Sequence, residues 1–210
     1  MDRAAKKDAV TFTDFLRVRF KGVINPIAAF LNRLGLMPNT VTLLGLLGTT
    51  LGAYFLATGR ITLGGLIILV MAPIDALDGT MARLRGMNSD FGAFVDSVTD
   101  RYSELVIFGG LLIYFLQQQN VQGAVLAFVA AAGSVLVSYI RARAQSLNME
   151  AKVGVLTRVE RYIVLIPCLI INQPLIALWV LAIFTNFTAL QRIWHVRQLS
   201  YEREGLKPRR

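Results

Sequence analysis

The sequence predicts an all-α integral membrane protein with six transmembrane helices, preceded by an N-terminal amphipathic helix in the membrane interface, with both termini cytoplasmic. Three observations carry this prediction. A chain of 210 residues with 55% hydrophobic and only 17% charged side chains, and a mean hydropathy of +0.55, is too apolar for a soluble domain of its size. Its apolar runs, mostly about 18 to 20 residues long, match a hydrocarbon core roughly 30 Å thick. Of the 22 Lys and Arg residues, Arg60 alone falls in a loop assigned to the far side of the membrane, which is a positive-inside pattern.

Residues 1–36 mix Lys6, Lys7, Arg17, Arg19, Lys21 and Arg33 with Phe12, Phe15, Leu16, Phe20, Val23, Ile24, Ile27 and Phe30 at helical spacing. This is the pattern of a helix lying in the interface with its basic face toward anionic headgroups. Met37-Pro38-Asn39-Thr40 punctuates the chain, and Asn39 or Thr40 is placed to cap the helix that follows. The first span is expected at about Val41 to Thr58, and after a Gly59-Arg60 turn the second at about Ile61 to Met81. The third is expected at Phe91 to Leu116, and the fourth follows the polar turn Gln117 to Asn120 at Val121 to Ile140. A polar stretch with Arg141, Arg143, Lys152, Arg158 and Arg161 leads to a fifth span at Tyr162 to Ile171, continuous with a helix begun near Arg158. Asn172-Gln173-Pro174 turns the chain into a sixth at Leu175 to Ala189, and the tail is basic. The expected organisation is therefore an interfacial helix over 1–36, one six-helix domain over 37–195 and a basic cytoplasmic tail over 196–210.

Several function classes fall away at this stage. The net charge of +9 arises from basic residues that flank apolar runs instead of lining a soluble face, so the partner they imply is membrane lipid and not nucleic acid. The lone Cys168 lies within an apolar run and reads as packing, and no intramolecular disulfide is possible. The N-terminus lacks an early uninterrupted apolar core with a small-residue cleavage site, so a cleaved signal peptide is not expected. His195, beside Trp194 and Arg197, reads as an interface residue.

The chemistry concentrates between Asp75 and Asp100. Asp75 and Asp78 are three residues apart, and Gly92, Asp96 and Asp100 are each four apart, so each set shares one helix face. Both sets sit at the cytoplasmic ends of their spans. Four carboxylates beside hydrocarbon are costly unless a cation neutralises them, so a divalent metal site is expected, with ion transport as the other use of such residues. Against transport, the opposite halves of the two spans offer no relay of polar side chains.

The spacing D-x2-D-G-x2-A-R-x8-G-x3-D-x3-D is met at every fixed position. It resembles the signature of the CDP-alcohol phosphatidyltransferases, integral membrane enzymes that move a phosphatidyl group from a CDP-linked lipid such as CDP-diacylglycerol onto an alcohol. That resemblance implies Asp75, Asp78 and Asp96 as ligands of Mg²⁺ or Mn²⁺, and Asp100 as the general base that takes the acceptor hydroxyl proton, with its contact to metal left open. It further implies that Gly79, Ala82, Arg83 and Gly92, together with Asp75 and Asp78, bind the nucleotide and its phosphates. The segment Pro38 to Thr42 resembles a nucleotide-proximal stretch of the family, which sets a ligand role for Asn39 and Thr42 beside the capping one. A homodimer is implied as well.

Downstream, Ser138, Arg141, Arg158 and Arg161, with Arg192 as a further candidate, stand where the branch making phosphatidylinositol phosphate binds the acceptor's phosphate. Arginine suits that task because its planar fork takes two oxygens at once. Inositol phosphate is therefore the expected acceptor. Arg141 stands where that branch often has lysine and Val159 where it often has proline. The glycerol-phosphate branch commonly has proline after the third acid and lysine after the fourth, where this chain has Ser97 and Arg101. Transfer to glycerol 3-phosphate or another alcohol is the alternative.

Overall fold

The computed structural model describes residues 12–86, 89–151 and 153–205, without the side chains of residues 12–21, 23 and 75. The expectations for residues 1–11, for Lys152, for the last five residues of the tail and for the side chain of Asp75 lie outside the described residues. Those described form α1 (Phe12–Arg33), α2 (Pro38–Ala57), α3 (Ile61–Met71), α4 (Ile74–Leu84), α5 (Asp90–Gln117), α6 (Val121–Ser146), α7 (Arg158–Ile170) and α8 (Pro174–Arg203).

Among the described residues, four stretches are both long and apolar enough to cross a membrane: Pro38–Ala57, Ile61–Leu84, Val121–Ser146 and Pro174–Arg203. The second is broken where one continuous helix was expected. Pro73 has no N–H to donate and its ring crowds the preceding turn, so α3 stops at Met71 and α4 restarts at Ile74. Two expected spans fall outside the four. α5 carries Asp90, Asp96, Asp100, Arg101 and Glu104 along its first half, and α7 has 13 residues, about 20 Å at 1.5 Å per residue. α8 runs on past the expected end of the sixth span to Arg203, where Arg197 lies 5.3 Å from the rings of both Trp194 and Tyr201.

The start of α2 corrects the capping expectation. Met37 is the residue before the helix, makes no side-chain cap, and is followed by Pro38 at the first helical position. Proline suits that position because its φ is already helical and the N–H it lacks would have no partner there. Asn39 thus sits inside the first turn, and its side chain remains for another partner. By contrast, α5 is capped by Ser89, whose Oγ accepts from Gly92 N at 3.0 Å, and α6 by Asn120, whose Oδ1 accepts from Gly123 N at 2.9 Å.

Neighbouring helices pack in a closed circuit, α2 on α5, α5 on α6, α6 on α8, α8 on α7, α7 on α3 and α3 on α2, with α4 also on α2 and α1 on α4. Leu56, Ile68, Leu111, Leu169, Leu178 and Leu181, all fully buried, fill the centre of the ring. Leu43, Leu47, Leu51, Phe128, Ile183, Phe184 and Leu190 face outward, as expected when the surroundings are lipid. A smaller cluster of Ala28, Val41 and Met81 fixes α1 and α4 to the start of α2. There Asn32 Nδ2 donates to the Met81 carbonyl at 3.2 Å and Arg85 Nη2 to the Asn32 carbonyl at 3.0 Å.

Small residues set how closely the site-bearing helices approach. A Cβ at Gly110 of α5 would lie 2.5 Å from the Ala53 carbonyl oxygen of α2, so the two backbones meet there because glycine permits it. Gly110→Val is expected to push α5 from α2 at a cost of about 1 to 3 kcal/mol, as overpacking typically does. The check is the thermal midpoint in detergent; a value equal to wild type would show that the helices separate without strain.

Candidate active site

The two acidic faces come from α4 and α5, both of which pack on α2. Asp78 is 4% exposed and Thr42 is 3% exposed, and the Thr42 hydroxyl lies 2.5 Å from Asp78 Oδ2 and 3.1 Å from the Pro38 carbonyl. A hydroxyl holds one proton, and the shorter contact assigns it to the carboxylate. Thr42 therefore orients Asp78, a role that spacing alone does not suggest. Asp75 lies one turn earlier in α4. Asp96 is half-buried on α5.

Among the described residues, no group of three His, Cys, Asp or Glu side chains gathers closely enough to hold a metal ion, a test that omits the Asp75 side chain. The chemistry of the donor set nevertheless fits a hard divalent ion: the acids on these faces are all oxygen donors, and one of them, Asp78, is buried among helices.

Gly79 follows Asp78 on α4, and Gly92 lies in the first turn of α5. A Cβ at Gly79 would meet, among the described residues, Arg83 Nη1 at 3.5 Å and nothing else within 4 Å. Protein packing therefore does not require glycine there, whereas close approach of a ligand would. At Gly92 a Cβ would lie 3.0 Å from Ser89 Oγ and 3.7 Å from Asn39 Oδ1, which puts Asn39 of α2 at the mouth of α5. Arg83 is exposed, and its Nη2 donates to Thr80 Oγ1 at 2.8 Å, which in turn donates to the Ala76 carbonyl at 2.7 Å. Thr80 thus steadies the guanidinium, and Ala82 sits half-buried beside it. Gly79→Ala is expected to leave the thermal midpoint unchanged while weakening nucleotide-lipid binding several-fold; unchanged binding would show that nothing approaches this backbone.

One turn beyond Asp96, Asp100 pairs with Arg158 at the start of α7 and lies 3.7 Å from Arg101 Nη1. The start of α7 is fixed by Glu160, whose carboxylate accepts from the Thr157 backbone N–H, and Arg158 lies 5.7 Å from the Tyr162 ring. The structure thus brings an arginine expected at the acceptor directly to the acid expected to be the base. Arg161 is 3% exposed, with Nε and Nη2 donating to Glu104 Oε1 at 3.1 and 2.6 Å and Nη1 to the Leu156 carbonyl at 3.3 Å. Arg192, also 3% exposed, donates from Nε to the Val153 carbonyl at 2.8 Å and from Nη1 to the Val137 carbonyl at 2.6 Å.

Arg141 and Arg161 lie close enough to Arg192 for their like charges to act on it. Arg141 is exposed on α6 and Ser138 half-buried one turn before it. Arg143 is exposed and contacts Ser146. His195 lines a surface groove of about 680 Å³ with Gly154, Gln191 and Trp194, apart from the acids.

Sequence reasoning passed over Glu104, Thr80 and the pairing of Thr42 with Asp78. A signal for Glu104 was present, because the four-residue stripe through Gly92, Asp96 and Asp100 continues to it.

The description CDP-alcohol phosphatidyltransferase matches residues 35–191. A phosphatidylinositol phosphate synthase of Streptomyces avermitilis is 37% identical over 208 residues, covering 91% of this chain and 84% of the relative. The crystal structure of the Mycobacterium tuberculosis phosphatidylinositol phosphate synthase with CDP-DAG bound superposes with a TM-score of 0.79 at 30% identity, over 83% of this chain and 93% of that one. The same mycobacterial protein in complex with manganese and citrate gives a TM-score of 0.79 at 30% identity, over 83% and 89% of the two chains.

Proposed function

Given that the chain belongs to the CDP-alcohol phosphatidyltransferase family, we propose that it transfers a phosphatidyl group from a CDP-linked lipid to a hydroxyl of inositol phosphate, releasing CMP. The transferred group is a diacyl- or dialkylglycerol phosphate. The observation that carries the acceptor reading is the pairing of Arg158 with Asp100, with Arg161 one turn along α7 and both Arg141 and Arg161 close enough to Arg192 for their charges to act on it. Arginine's planar fork takes two phosphate oxygens at once, so these side chains suit an anionic acceptor. The synthase relatives support the same acceptor.

Asp75, Asp78 and Asp96 would hold a divalent ion, Mg²⁺ or Mn²⁺, and the manganese complex of the mycobacterial relative supports such a dependence. When bound, the ion neutralises the pyrophosphate and stabilises the departing phosphate. The chain's own residues do the rest. Thr42 holds Asp78 in orientation, Arg83 pairs with phosphate oxygens, and Asn39 and Gly92 border the nucleotide. Asp100 accepts the proton of the acceptor hydroxyl as that oxygen bonds to the lipid-side phosphorus and the bond from phosphorus to the CMP oxygen breaks.

The finer topology belongs to the same reading. α5 and α7 complete six spans with both termini cytoplasmic, so that the acids open to the cytoplasm of the cell membrane. The domain runs over 37–195 behind an interfacial helix at 1–36 and ahead of the tail at 196–210, and the enzyme works as a homodimer. Transport of divalent ions has less support, since the next acid inward from Asp100 is Glu104, which Arg161 closes.

The test is Arg158→Ala. Losing one partner of a charge-assisted pair costs about 1.5 to 3 kcal/mol, or roughly 10- to 150-fold in the KM for inositol phosphate, with much less change for the CDP-lipid. An acceptor KM that does not move would return Arg158 to the role of a topology anchor.

A further inference from the structure

We propose that Glu104 is a positioning residue of the acceptor site: its buried carboxylate fixes the rotation of the Arg161 guanidinium so that the outer edge of that group meets the acceptor phosphate. The inference rests on the transferase reading above. Glu104 is 5% exposed and sits one turn beyond Asp100 on α5, while Arg161 follows Arg158 by one turn on α7. Asp100 with Arg158 and Glu104 with Arg161 are therefore two rungs of one ladder between these helices. The outer rung carries the candidate base. The inner rung sets the angle of the second guanidinium against it.

The hydrogen-bond inventory of Arg161 gives the orientation. A guanidinium carries five N–H bonds in one plane. Glu104 Oε1 takes the side-on pair, Nε at 3.1 Å and Nη2 at 2.6 Å, and the Leu156 carbonyl takes Nη1 at 3.3 Å. One N–H is left on each terminal nitrogen, and two such N–H bonds in one plane can donate to two oxygens of a single phosphate. Without Glu104 the side chain would be free to turn that edge away.

Stability gives no sufficient reason for the pair. A buried ion pair forfeits much of its Coulombic gain to desolvation, and apolar replacements of similar volume are often as stable. Arg192, equally buried, is held by the neutral carbonyls of Val137 and Val153 instead. A carboxylate on Arg161 also lowers the net charge that the acceptor phosphate meets, so the site selects by geometry more than by total positive charge.

The experiment uses the full-length protein in detergent with CDP-diacylglycerol, Mg²⁺ and inositol phosphate, reading CMP release. Glu104→Ala is expected to raise the KM for inositol phosphate by roughly 10- to 100-fold, the scale of a lost charge-assisted contact, and to leave the KM for CDP-diacylglycerol little changed. Glu104→Gln keeps an oxygen that accepts both N–H bonds and is expected to restore most of the acceptor affinity. In an Arg161→Ala background, Glu104→Ala should add nothing further, because it acts through Arg161. An unmoved acceptor KM in Glu104→Ala, or additive effects in the double variant, overturns the proposal. Should Glu104→Ala not fold, Glu104→Asp takes its place: withdrawing the carboxylate by one methylene should raise the acceptor KM alone, and equal shifts in both KM values overturn the idea. A wild-type enzyme that uses another phosphorylated alcohol would defeat the choice of inositol phosphate, and the same split would then be read on that acceptor.

Discussion

Asp100→Asn is expected to keep CDP-lipid binding and to lose turnover by about 10²- to 10⁴-fold, the range for removal of a general base. The asparagine preserves shape and offers Arg158 a carbonyl oxygen, but it has no basic lone pair for the acceptor proton. Asp100 follows Asp96 by one turn on α5 and pairs with Arg158, so on the proposed mechanism the acceptor's phosphate and hydroxyl would arrive beside it together. Single-turnover CMP release together with equilibrium binding of the CDP-lipid separates the possibilities. Normal turnover would put the base elsewhere, and loss of lipid binding would add Asp100 to the metal ligands.

The second large effect is expected at Asp78. Asp78→Asn removes a buried carboxylate that, on the proposed mechanism, would hold the ion directly, so Mg²⁺ or Mn²⁺ affinity should fall by more than the roughly 10- to 100-fold typical of losing an outer partner. Thr42→Val provides the comparison, because it deletes the hydroxyl 2.5 Å from Asp78 Oδ2 and should cost an amount within that 10- to 100-fold range. Calorimetric titration with either ion reads both variants. Undiminished affinity in Asp75→Asn, Asp78→Asn and Asp96→Asn alike would refute the metal site.

Much of this arrangement was legible in the sequence, for physical reasons. Membrane spans declare themselves by apolar length, and the signature works because helical periodicity converts spacing into a shared face. The break at Pro73 was also written in the chain, since a proline inside an apolar run interrupts its hydrogen bonds whatever surrounds it. The capping expectation failed because Asn39 is a good cap by residue type, yet the helix starts at Pro38, two residues before the start an Asn39 cap would give, and leaves the cap position to Met37. Arg161 was legible as a charge at the start of a helix, but not as a group bound to Glu104, 57 residues away in sequence. Pairings between helices depend on the packing circuit, which periodicity within one helix does not encode. Thr42 illustrates the same limit, because its partner Asp78 lies on α4, 36 residues on.

The central claim is that the acidic face and the arginine cluster together move a phosphatidyl group onto an anionic alcohol. An acceptor screen tests this most directly. The purified protein is given CDP-diacylglycerol and Mg²⁺ with inositol phosphate, inositol, glycerol 3-phosphate or serine in turn, and CMP release is measured for each. Release is expected to be fastest with inositol phosphate and far slower with uncharged inositol, and to cease in Asp78→Asn. Faster release with inositol than with inositol phosphate, or none with any alcohol, would contradict the account.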